Sequence, residues 1–214
     1  MADNKVLVSP AGIAKFPHLN EPSTKFKPEG EYQVTLLLDG EEAEKLKEFI
    51  DRAMEENFNA VVEAFKTHSD PKQRRKAGSV KMADAPYSED VDSDGEETGY
   101  TAFRFKTGAS GTTKAGKPWK FKLPLFDAKR KPTNVAIGGG STLKIAYEPF
   151  PYYTELVGAG ISLRLKAVQV LDLKVWGERS AEGYGFAEEE GFEADAANEE
   201  GGEFETVNDG ETDF

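Results

Sequence analysis

Two short segments alternate aromatic and cationic side chains: Phe103-Arg104-Phe105-Lys106 and Trp119-Lys120-Phe121-Lys122-Leu123. Strand side chains point alternately to opposite faces, so in each segment the rings share one face and the cations the other. For most hairpins this means only a half-buried strand pair whose lysines reach for water. Here more cations stand at the loop ends (Lys114, Lys117, Lys129, Arg130 and Lys131), and Phe150, Tyr152 and Tyr153 cluster in a Pro-rich stretch. A single strand of nucleic acid requires such a surface. Cations track its phosphates, and rings stack on its bases at ~1–3 kcal/mol each without choosing among them. The expected phosphate contacts are Arg104, Lys106, Lys120 and Lys122, joined by the loop-end cations. The expected stacking residues are Tyr152, Tyr153, Phe150, Trp119 and Phe126. Alternation assigns Phe103, Phe105 and Phe121 to the core.

Charge is sorted along the 214 residues, whose net is −12. Residues 1–98 carry 13 basic and 21 acidic side chains, and residues 99–176 carry 13 and 4, a net of +9. Residues 177–214 hold fourteen acids and one base, and end in Asp213-Phe214. A Gly- and Ala-rich block of like charge cannot bury enough apolar surface to offset its chain entropy, so it reads as a disordered acidic tail behind one domain of residues 1–176. Tethered near a cationic face at high effective concentration, such a polyanion is expected to compete with DNA for it.

Other chemistry finds little support. There is no cysteine, hence no disulfide or thiolate metal site. The segment from Gly111 to Lys117 fits the front of a P-loop, but Pro118 stands where a hydroxyl must reach magnesium, and a strand pattern follows instead of a helix. Asp90-Val91-Asp92-Ser93-Asp94-Gly95 mimics half of an EF-hand, yet Thr101 occupies the position of the bidentate Glu. His18 and His68 lie in unlike contexts with no ligand pattern beside them. No catalytic site, metal or cofactor is implied. No apolar run nears the ~18 residues a membrane span needs, and no signal pattern opens the chain, so a soluble intracellular protein is expected.

The elements that must position these residues are a few strands and one helix. Residues 5–8 begin β-like and lead into a Pro-punctuated segment through Pro28. Residues 32–38 read as a strand, and Asp39 as the cap of a long amphipathic helix reaching about His68, where Ser69-Asp70-Pro71 ends it. Residues 69–99 read as an extended loop, with a basic knot at Lys72, Arg74, Arg75 and Lys76. Strands follow at 100–107 and 117–126, joined as a hairpin, then at 142–147 and 161–176, with a kinked loop over 149–153. The fold class is mainly β: a five- to six-stranded closed or partly open barrel with one long helix between strands.

In this order the chain resembles phage-encoded single-stranded-DNA-binding proteins. The resemblance rests on Lys25-Phe26-Lys27-Pro28-Glu29-Gly30-Glu31-Tyr32, the long helix, Phe103-Arg104-Phe105-Lys106, Ile137-Gly138-Gly139-Gly140-Ser141-Thr142-Leu143-Lys144, Gly158-Ala159-Gly160 and the acidic end at Asp213-Phe214. It implies a single OB-fold that binds single-stranded DNA without sequence preference in phage replication, recombination and repair, in the cytoplasm of the infected bacterial host. It also implies a capacity to dimerise, and a tail whose Asp213 and Phe214 contact the phage polymerase and primase–helicase. The rival readings are a single-stranded-RNA-binding protein of the same fold and an acidic-tailed protein-interaction or chaperone-like module.

Overall fold

The computed structural model describes residues 5–113 and 115–175. Lys114, Trp176, Asp213, Phe214 and the acidic tail of residues 177–214 lie outside the described residues. The first strand, β1 (Leu7–Val8), is short. The Pro-punctuated segment after it is itself a strand, β2 (Gly12–Ser23), where sequence reading expects a connection. Its prolines are tolerated because its ladder with the next strand is irregular, with register shifts between Lys15 and His18 and between His18 and Ser23. Phe16 lies in the first of these irregularities, with φ +53°.

Strand β3 (Glu31–Leu38) shows the alternation expected of it: Tyr32, Val34, Leu36 and Leu38 are buried, and the residues between them face outward. Helix α1 (Gly40–Lys66) then buries Ala43, Leu46, Ile50 and Met54, one stripe at helical spacing. Asp39 stands at its N-cap in extended conformation, but its side chain makes no capping bond. Glu41 and Glu42 sit in the first turn, where the helix dipole favours them.

Residues 69–99 are more ordered than an extended loop. Asp70 accepts a hydrogen bond from Lys72 N at 2.8 Å and caps the short helix α2 (Pro71–Arg75), which passes into a 3₁₀ turn at Lys76–Ser79. Hence the basic knot is helical, and Lys76 is paired to Glu155. Strand β4 (Tyr87–Val91) turns at the EF-hand-like residues into β5 (Glu97–Gly108). There Asp92 Oδ1 accepts from Asp94 N and Glu96 N, an ordinary turn arrangement.

The expected hairpin between the two aromatic–cationic segments does not form. β5 pairs with β3, β4 and the last strand. The second segment contributes only β7 (Pro118–Lys120), which folds back on β6 (Ser110–Thr112) as a separate two-stranded arm. Pro124 precedes the next strand, β8, which is only Leu125–Phe126. β9 (Thr142–Thr154) runs straight through Pro149 and Pro151, which sequence reading breaks as a kinked loop. It pairs along its whole length with β10 (Gly158–Asp172).

The circuit β2–β3–β5–β10–β9–β2 closes a five-stranded barrel in OB-fold order, with α1 inserted between β3 and β5. Leu36, Phe103, Phe105, Leu143, Ile145, Leu163 and Leu165 fill its interior, and the buried stripe of α1 joins the same cluster. Phe103 and Phe105 are therefore core, as alternation requires. Among the described residues, no helix is long and apolar enough to cross a membrane.

Candidate nucleic-acid interface

The inward alternation that fills the barrel puts a second set of side chains on its outer face. Register aligns four of them in one transverse row: Gln33 on β3, Lys106 on β5, Arg164 on β10 and Glu148 on β9. A neighbouring level brings Thr35 opposite Arg104 and Phe150 opposite Ser162. Over this face lies a cleft of about 730 Å³, whose walls include Phe16, Arg104, Lys106, Phe150, Tyr152 and Arg164.

One wall of the cleft is a strap between the 3₁₀ turn and β4. Its Lys81 carbonyl accepts from Ala159 N at 2.8 Å, and Ala83 N donates to Ala159 O at 2.9 Å. At the other edge the Pro86 carbonyl accepts from Arg104 N at 2.8 Å. The Arg104 guanidinium donates through Nη2 to Ala85 O at 2.8 Å, so this side chain pins the strap while its remaining N–H groups stay on the exposed side. Asn57 of α1 ties the helix to β9 and β10, donating to the carbonyls of Tyr152 and Gly160, each at 2.9 Å. Gly160 has to be glycine here: a Cβ would lie 2.7 Å from Tyr152 Oη and 2.8 Å from Ala83 Cβ.

Arg164 sits over the ring of Phe150, with Cζ 3.1 Å from the centroid. Burial pushes its pKa down, and the charge of Glu148 opposes that fall. A guanidinium stays charged in either case. Ring and cation together form a flat, positively charged platform on the cleft wall, the combination that stacks a base and holds its phosphate.

The expected site residues divide among four places. Arg104, Lys106, Phe150 and Tyr152 share the cleft. Tyr153 does not: one position out of phase with Tyr152, it turns to α1 and meets Phe65 edge-on at 5.4 Å. Lys117, Lys120 and Trp119 ride the β6–β7 arm, followed by exposed Lys122. The Trp119 ring lies against the arm's own backbone, where a Cβ on Gly111 would come within 3.0 Å. Lys129, Arg130 and Lys131 form a tight turn after β8, built on Asp127 Oδ1 accepting from Lys129 N and Lys131 N, each at 2.8 Å. Phe126, Arg130 and Lys144 line a separate, smaller cleft of about 320 Å³.

Sequence reading misses three residues. Arg164 carries a visible signal, the alternation Leu163-Arg164-Leu165-Lys166, which repeats the pattern of the earlier segments. Phe16 carries none, because its 71% exposure follows from a backbone irregularity. Phe26 is 83% exposed in the β2–β3 loop, with Lys25 Nζ 5.4 Å over its ring. In OB-folds this loop borders the ligand face.

Comparison with known proteins identifies relatives of the chain and of its fold. The profile of a family described as the single-stranded DNA-binding protein of bacteriophage T7 matches residues 11–173. The single-stranded DNA-binding protein of Enterobacteria phage T3 is 32% identical over 173 residues, covering 78% of this chain and 72% of its own. Its counterpart from Escherichia phage T7 is 31% identical over 190 residues, covering 86% and 80%. The crystal structure of T7 gp2.5, a single-stranded DNA binding protein, superposes with a TM-score of 0.66 at 28% identity, over 89% of this chain and 99% of that one. A single-stranded DNA-binding protein from bacteriophage Enc34, solved with ssDNA, shares the fold at a TM-score of 0.53 and 17% identity, over 82% and 91%. The profile match over residues 11–173 and the two relatives above 30% identity converge on one assignment: the chain belongs to the T7-type family of phage single-stranded DNA-binding proteins.

Proposed function

We propose that this protein binds single-stranded DNA without sequence preference in the cleft over β3, β5, β10 and β9, acting as a binding protein and not as an enzyme. The observation that carries this reading is the Arg164–Phe150 platform in a cleft shared with Arg104, Lys106 and Tyr152. Cations fixed on rigid strands follow the phosphates, while the Tyr152 ring and the guanidinium stacked on Phe150 offer flat faces that any base can stack on. The names of the T3 and T7 relatives support the choice of single-stranded DNA.

Its setting is phage DNA replication, recombination and repair in the cytoplasm of the infected host. There the protein covers exposed strands, and its acidic residues 177–214 recruit the phage polymerase and primase–helicase through Asp213 and Phe214. A self-association step belongs to the same reading. The decisive experiment is a mobility shift with single- and double-stranded DNA of one length, beside oligo-dT and oligo-rU titrations. Preferential retardation of the single strand is expected. Equal affinity for duplex, or preference for RNA, overturns the assignment.

A further inference from the structure

Strand alternation sends Glu148 to the outer face of β9, directly across the ladder from Arg164 and beside Lys166. A carboxylate on an outer face has water at hand, yet Glu148 is only 4% exposed. Its Oε2 pairs with Lys166 Nζ at 2.5 Å, and its Oε1 is buried without a hydrogen-bond partner. A half-satisfied buried carboxylate is a poor stabiliser, because the desolvation of its charge is only partly repaid by one ion pair. Its place on a cationic binding face therefore calls for an explanation other than stability.

The two cations beside it are in different states. Arg164 lies on Phe150, inside the cleft. Lys166 is drawn onto the carboxylate and is not among the cleft's walls, although β10 carries both residues. Chemically, the carboxylate occupies the position on Lys166 that a phosphate oxygen would take.

We propose that Glu148 is a built-in rival of the phosphate backbone, holding Lys166 out of the set of cations that grip the strand. It keeps the affinity of the cleft below what the cations of β10 would otherwise give, so that a covered strand stays easy to uncover. The inference rests on the strand-binding function above and deepens it: it concerns how tightly the cleft holds, not what it holds.

The test is oligo-dT binding across a salt series with the full chain. Glu148→Gln keeps the shape of the side chain and removes its charge. It should raise affinity about threefold at low salt and steepen the log–log salt slope by ~0.7, the scale of one added phosphate contact on a single strand. Adding Lys166→Met to that variant should return both affinity and slope to those of the unaltered chain. If Glu148→Gln does not fold, Lys166→Met alone decides. Its slope should stay unchanged, and a loss of ~0.7 would show Lys166 already on a phosphate and overturn the proposal. Glu148→Gln that melts normally with unmoved affinity and slope overturns this inference alone. Failure of the unaltered chain to bind oligo-dT at all overturns the strand-binding function, and this inference with it.

Discussion

The guanidinium of Arg164 covers the ring of Phe150 at 3.1 Å, tying a residue of β10 to one on β9 through their side chains as well as their ladder. If a base stacks on this platform, Phe150→Leu should cost about 1–3 kcal/mol of oligo-dT affinity. Arg164→Lys separates charge from shape. An ammonium keeps the phosphate contact but loses the planar fork, so affinity should fall while the salt slope holds. Titration by tryptophan fluorescence or mobility shift reads both. A Phe150→Leu variant with unaltered affinity would place the stacking elsewhere.

Salt dependence counts the phosphates. The cations Arg104, Lys106 and Arg164 line the cleft, and at ~0.7 per contact they give a log–log slope of about −2. Lys106→Ala should flatten it by ~0.7. Lys129→Ala, on the turn after β8, should leave the slope for a short oligonucleotide unchanged.

Gly160→Ala tests the strap. The new methyl would meet Tyr152 Oη at 2.7 Å and Ala83 Cβ at 2.8 Å, so either the ring or the strap must yield. We expect a loss of about 1–3 kcal/mol in stability, measured by denaturant unfolding, together with weakened DNA binding. A Gly78→Ala control, where nothing lies within 4 Å, should be neutral in both.

Two phenols set an alkaline limit. Burial pushes the pKa of Tyr147 up to about 12. Tyr87 is pushed to about 12 as well, by burial first and then by donating its hydroxyl proton to Asp51 Oδ1 at 2.7 Å. Below pH ~10, the ordinary value for tyrosine, both are neutral whether or not the chain is folded, and they exert no pH effect. Between about 10 and 12 the unfolded chain releases these protons and the native barrel retains them, so stability falls as pH rises. Tyr147→Phe should make that fall shallower in thermal melts. An unchanged alkaline profile would contradict it.

Wherever periodicity is regular, the sequence is readable. Leu36, Phe103 and Phe105 announce their burial by period two, and Leu46, Ile50 and Met54 by helical spacing. Two local signals mislead. Proline reads as the end of a strand, yet β2 and β9 absorb Pro17, Pro22, Pro149 and Pro151, with β2 accommodating its own at register irregularities. Adjacent similar segments read as partners, whereas β5 finds β10, far away in sequence, and β7 finds β6. The second signal scatters the expected site, because Lys120 and Lys122 never join the face of Arg104 and Lys106. Arg164 reaches that face through a long-range pairing that no local pattern encodes.

That pairing has a consequence for the order of folding. β10 meets β5, β8, β9 and the strap, and it is the last strand of the barrel in the chain. Loop-closure entropy must be overcome before such distant contacts return anything, so we expect the docking of β10 to limit the rate at which the barrel closes. Until it docks, the strands of Lys106 and Phe150 are joined only the long way round, through β3 and β2. The cleft lined by Lys106, Phe150 and Arg164 is whole only once the barrel is closed.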